Sequence, residues 1–248
     1  MRLLITTALL AVFMSATPAP SQDREVRHSA FVADVDTGLI LTADRIDSPR
    51  KPDLLGRFTI VGLTAQDIAN GALDPTEMLR MGRWQISIWD GTVTTAQGGD
   101  GWRGAMTALV NRLGATPSGV MDLVDAAIAQ SGLQATRMRI VRDADGGPGF
   151  AGYTTPRDMG RMITAFLRAH ETVLTQIFAA ELDRFPTTRA WMADKGMCML
   201  AAHGPRTQRL MVAVLTGADD DESCLETGAE LIRRDDARIA AAIRTDGD

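Results

Sequence analysis

Lysine is almost missing from this chain. Only Lys51 and Lys195 occur, against an ample supply of arginine, so any mechanism that needs a lysine base has two places to find one. Cysteine is as scarce: Cys198 and Cys224 are the pair, too few for a cysteine-ligated metal centre. The three histidines, His28, His170 and His203, stand apart with no His-x-x-x-His or cysteine partner. No metal and no cofactor is therefore expected. Positive charge is not in excess either. A formal net charge of -5 argues against an electrostatic grip on nucleic acid or an anionic membrane. No apolar run reaches the roughly 20 residues of a membrane-spanning helix.

What is present suits a globular fold. The 248 residues are 45% hydrophobic and 23% charged, enough for one domain with a sizeable core. That balance excludes disordered, collagen-like and coiled-coil chains. The first twenty residues stand apart: Arg2, the short apolar run Leu3 to Met14, then the small residues from Ser15 to Pro20. This is the pattern of a cleaved signal peptide. The expectation is a signal peptide over 1–20 and a single domain over 21–248, in the periplasm of a bacterium or secreted. In an oxidising compartment Cys198 and Cys224 can form a disulfide; two buried thiols are the alternative.

Along the chain, Ser29 to Val35 and Leu39 to Ala43 flank Asp36-Thr37-Gly38 as a β-hairpin. Pro52-Asp53 opens a helix to about Ala69. Trp84, Ile86 and Ile88 share a strand face, and Asp90-Gly91 predicts a hairpin turn to Thr92–Ala96. A helix ends near Leu113-Gly114, and another starts at Thr116-Pro117 and closes at Gly132. Residues 143–152, rich in Gly and Asp, read as a loop. Thr155-Pro156-Arg157-Asp158 caps a helix with Met159, Met162, Ile163, Phe166 and Leu167 as its buried stripe. Met197 to Ala202 and Leu210 to Thr216 read as strands, and Asp219 to Glu222 begins a C-terminal helix. With no βαβ rhythm, the order predicts an α+β fold: an antiparallel sheet packed with helices, plus a mostly helical middle.

Several of these segments resemble one family. Ser29 to Leu41 is similar to the opening hairpin of the serine D-alanyl-D-alanine carboxypeptidases, the low-molecular-mass penicillin-binding proteins with a serine β-lactamase-like fold. Asp44 to Pro52 has the shape of the stretch before that family's catalytic helix, and Gly71-Ala72-Leu73-Asp74 that of the turn after it. Thr154 to Met162 resembles the helix start S-T-A-R-D-M-A-R-L, and Gly196 to Ala202 resembles G-Y-C-L-V-A-S-A. The resemblance spans most of 29–234 and is weakest over 80–104.

It implies acyl transfer by three motifs that meet in one cleft. In S-x-x-K, the serine attacks and the lysine one turn later serves as its base. Counted from Pro52, those positions hold Leu54 and Arg57. Leucine has no nucleophilic atom, and arginine cannot act as a base. A literal S-x-x-K at Ser48–Lys51 precedes the helix, and Pro52 interrupts any helix carrying both. S-x-N falls on Gln97 and Gly99. K-T-G, eight residues before Gly196, falls on Thr188, Arg189 and Ala190; a shift to Lys195-Gly196 keeps the lysine and loses the spacing.

Other signals point less far. Gly99 to Gly104 spells G-x-G-x-x-G without a βαβ unit, and Asp143 to Gly147 lacks the later glutamate of a calcium loop. Trp84, Trp89, Trp102 and Trp191 are candidates for stacking on a sugar or partner. The leading expectation is a pseudoenzyme that binds a peptidoglycan stem peptide or a periplasmic protein. The alternatives are an active D-Ala-D-Ala carboxypeptidase using Ser48 and Lys51, and an assembly scaffold.

Overall fold

The computed structural model describes residues 28–81, 84–88, 102–114, 116–142, 147–178 and 187–245. The expected signal peptide therefore lies outside the described residues. So do Asp90-Gly91 and its expected partner strand, the first three residues of the G-x-G-x-x-G stretch, and Gln97.

The hairpin at the start is β1 (Ser29–Asp34) and β2 (Ile40–Asp44). The Asp34 carboxylate closes its turn, accepting the Thr37 amide at 2.7 Å and the Thr37 hydroxyl at 2.8 Å. Pro52 then caps α1 (Asp53–Ala69), whose residues Leu54 to Ala65 are all buried. A helix buried all round belongs in the middle of a domain.

The strand at Trp84 is present, and among the described residues it pairs with a segment upstream. β3 (Met78–Met81) pairs antiparallel with β4 (Trp84–Ser87), Leu79 opposite Ile86, and Ile88 falls outside the strand. Next come α2 (Trp102–Gly114) and α3 (Pro117–Gln130), the latter capped by the Thr116 hydroxyl accepting the Gly119 amide at 3.1 Å. The loop reading of 143–152 is corrected over 148–152, while 143–146 lie outside the described residues. β5 (Arg137–Arg142) pairs with β6 (Pro148–Tyr153). Its glycines signalled a loop, yet Gly152 has φ +125° and a Cβ there would lie 2.0 Å from the Arg137 carbonyl oxygen. Close strand approach, not looseness, selects glycine at that point.

α4 (Pro156–Phe178) buries the expected stripe and bends at the non-helical His170. β7 (Thr188–Asp194), a strand the sequence pattern did not announce, precedes β8 (Met197–His203) and β9 (Leu210–Thr216). α5 (Asp221–Thr245) closes the described chain. None of the described helices is long and apolar enough to cross a membrane.

The main sheet runs β2-β1-β9-β8-β7, antiparallel throughout. β9, buried along its whole length, is central and covered on both faces. Phe31, Met192, Met199, Val212 and Val214 face the core shared with α1 and α4. Val32, Leu200, Met211 and Ala213 face Leu225 and Ile232 of α5. Cys198 on β8 and Cys224 on α5 are joined by a disulfide across that outer layer, with Cα atoms 5.9 Å apart.

Candidate functional site

The site is built where α1 begins beneath the sheet. The segment entering it is anchored by Arg50, whose Nε donates to the Thr216 hydroxyl at 2.8 Å and whose Nη2 donates to the Ser29 hydroxyl at 2.7 Å. Arg50 also bridges to Thr154 after β6. Just upstream, Arg157 grips Asp47 through two hydrogen bonds of 2.6 and 2.8 Å; those bonds hold the Asp47 carboxyl below the usual carboxylate range. The first turn of α4 is fixed in turn by Asp158, which accepts the Ala135 amide at 2.8 Å and the Thr136 hydroxyl at 2.9 Å.

On α1, Leu54 is buried, and one turn later Arg57 is only 3% exposed. Positions i and i+3 share a helix face. The Arg57 guanidinium forms an ion pair with Asp194, the last residue of β7. The alternation along β7 explains the match: Ala190 and Met192 belong to the inner core, whereas Ala193 and Trp191 belong to the outer one. Asp194 therefore shares the inward parity. A buried guanidinium is tolerated only when a carboxylate answers it.

Gly56 encloses the other side. A Cβ there would lie 2.2 Å from the Phe150 ring, so its absence lets that ring sit on the helix backbone. The start of α1 is thus walled by Phe150 and β7. Chemically it presents a buried alkyl group, a guanidinium with five donors and no acceptor, and a carboxylate engaged with it. No hydroxyl stands at Leu54 or Arg57 to attack a carbonyl.

The remaining sequence candidates are scattered. Thr188, Arg189 and Ala190 open β7, with Thr188 and Ala190 buried and a register shift between them. Ser48 precedes α1, its amide donating to the Arg45 carbonyl at 3.1 Å, and Lys51 is exposed. Because the helix starts at Asp53, Ser48 and Lys51 share no helical face. Lys195, with φ +54° and an exposed side chain, forms the β7–β8 turn with Gly196, directly after Asp194. His203 sits at the end of β8, its Nδ1 3.0 Å from the Gln208 carbonyl oxygen and its Nε2 3.6 Å from Glu171. Trp191 is half-buried on the outer face. Asp194 is the residue that sequence reasoning missed. The one available signal was Arg57 itself, a cation inside an apolar helix that must find a carboxylate somewhere.

No family model and no curated protein sequence matches the chain. Solved structures do. The D-alanyl-D-alanine carboxypeptidase DacD of Francisella tularensis superimposes with a TM-score of 0.65 at 14% identity, over 83% of this chain and 69% of that one. Penicillin-binding protein D2 of Listeria monocytogenes, in its ampicillin-bound form, gives 0.63 at 15% identity, over 84% and 96%. Penicillin-binding protein 6B of Escherichia coli gives 0.62 at 17%, over 87% and 79%. The chain has the fold of the D-alanyl-D-alanine carboxypeptidases and penicillin-binding proteins.

Proposed function

We propose that this is a periplasmic pseudoenzyme of the carboxypeptidase fold, which binds a peptidoglycan stem peptide or a periplasmic partner without cleaving it. The observation that carries the reading is the buried Arg57–Asp194 ion pair beside Leu54. Where the resemblance calls for a nucleophile and its base, this chain holds an alkyl group and a cation that has no lone pair to accept a proton. Binding remains open to such a fold. Among the described residues β7 is an edge strand of the main sheet, and an edge strand can receive an extended peptide through its main-chain groups. The disulfide between β8 and α5 fits an oxidising compartment.

The test is fluorescent-penicillin labelling of the purified mature protein, read by intact mass, beside an equilibrium titration with a synthetic stem pentapeptide. The expected result is no covalent adduct and a saturable, reversible complex with the peptide or an envelope protein. A stoichiometric adduct on a serine would overturn the reading and restore an acyl-transferring enzyme.

A further inference from the structure

The β5–β6 hairpin has one face in the core and one in solvent. Met138 and Phe150 point inward. The register sets Arg137 opposite Tyr153 and Arg139 opposite Ala151, and of these four Arg137, Arg139 and Tyr153 are exposed. A separate antiparallel bridge, Arg50–Thr154, sets the segment before α1 against the residue after β6, so that exposed Lys51 follows one step along, beside Tyr153.

This concentration of cations is not required by the fold. Elsewhere arginines answer carboxylates: Arg112 with Glu77, Arg157 with Asp47, Arg209 with Asp34 and Arg233 with Glu230. Here Arg137 donates only to the Thr136 carbonyl, at 2.7 Å, and among the described residues neither Arg139 nor Lys51 has a carboxylate partner. Like charges two apart on one strand face repel. The chain carries 31 acidic residues against 26 basic ones, so compensation was available, and no carboxylate among the described residues supplies it at this face.

We propose that this face is a docking surface for an extended acidic peptide segment of a partner protein. Residues two apart on a strand are spaced by roughly 6.6–6.8 Å, so Arg137 and Arg139 match carboxylates on alternate residues of an extended chain. Ala151 leaves the Arg139 side uncovered, and the half-exposed Tyr153 ring supplies a flat apolar surface between Arg137 and Lys51. The proposed surface lies on the side of the β5–β6 hairpin opposite Phe150, which walls the α1 site, and Lys51 adjoins it from the segment leading into α1.

Tyr153 is the chain's one tyrosine, so 3-fluorotyrosine labelling of the mature protein places a single fluorine reporter on this surface. The probe is a synthetic octapeptide of alternating glutamate and serine. Saturable movement of that fluorine resonance is expected at low salt. The double variant Lys51→Ser/Arg139→Ser, which removes no internal contact, is expected to weaken the complex at least about fivefold and to flatten its salt dependence. No movement with the octapeptide would overturn the proposal. So would inorganic polyphosphate binding as tightly as the peptide, or unchanged affinity in the double variant. If the variant self-associates while the parent ignores the peptide, the charges guard a sheet edge and the proposal falls. A penicillin adduct would sink the pseudoenzyme reading and leave this one standing.

Discussion

Two arginine–carboxylate pairs close opposite ends of the main sheet, and they are built in opposite ways. Asp34, where β1 ends, is a buried carboxylate (1% exposed side chain) reached by a half-exposed Arg209 (39%) at 3.0 Å. At the other end, Arg57 is the buried member (4%) and Asp194 is the more open one (28%). Burial works to raise the Asp34 carboxyl, but the Thr37 amide and hydroxyl and the Arg209 guanidinium outweigh it and hold it below its ordinary value. That carboxylate is satisfied first by its own turn. Arg57 is answered instead by a residue 137 positions along the chain, brought near only by the folding of β7 over α1. The first pair is a local clamp with a cation added; the second exists only in the assembled core.

Removing one partner from the second pair is the severest test of that difference. Asp194→Ala leaves a guanidinium enclosed without its carboxylate and is expected to lose about 3 kcal/mol in the urea midpoint, or more. The apolar pair Arg57→Met/Asp194→Leu should recover most of it; a single variant of wild-type stability would show that the pair is dispensable. Next comes the outer layer. Cys198 and Cys224 are 26 residues apart, and Cys198→Ala/Cys224→Ala is expected to lower stability by about 3 kcal/mol, additively with Asp194→Ala because the two lie on opposite faces of the sheet. Strong non-additivity in the combined variant would mean that the faces are coupled.

Gly56→Ala probes the wall of the site. A methyl group 2.2 Å from the Phe150 ring forces that ring off the helix, and about 1–3 kcal/mol of destabilisation is expected from thermal unfolding. The local clamp should respond to pH. With its folded pKa below the unfolded value near about 3.9, Asp34 contributes stability that is present above that pH and lost as pH falls through the folded pKa. Asp34→Asn should therefore flatten the fall of the melting temperature between about pH 5 and 3; an unchanged slope would remove Asp34 as its source. The smallest effect is expected from Ser48→Ala, within about 0.5 kcal/mol and with no change in penicillin labelling.

How much could be read beforehand followed the range of the forces involved. The first hairpin, α1, α3, the stripe of α4 and the strands β8 and β9 were legible because turn chemistry and periodicity are written in neighbouring residues. β5 and β6 were not. Arg137-Met138-Arg139-Ile140 alternates, but the glycines of 146–152 read as loop, and only the close approach at Gly152 shows why one of them lies in a strand. The strand at Trp84 was found, but its pairing with Met78-Leu79-Arg80-Met81 was not, since that segment is too short to declare itself. At the site, the resemblance set Leu54 and Arg57 where it implied a serine and a lysine. The carboxylate that answers Arg57 was not legible.

By itself, then, the sequence determined the local vocabulary: a helix opened by Pro52-Asp53, a tight turn at Asp36-Thr37-Gly38, an apolar strand at Leu210 to Thr216, and the absence of hydroxyl and amine at positions 54 and 57. These depend on residues a few places apart, whose geometry the backbone settles locally. Tertiary structure alone decided that Asp194 faces Arg57, that Phe150 lies on Gly56, that Cys198 meets Cys224, and that Lys51, Tyr153 and Arg137 stand side by side. Each of these pairings depends on strand register and layer packing, which are settled by burial of the whole core rather than by any neighbouring residue.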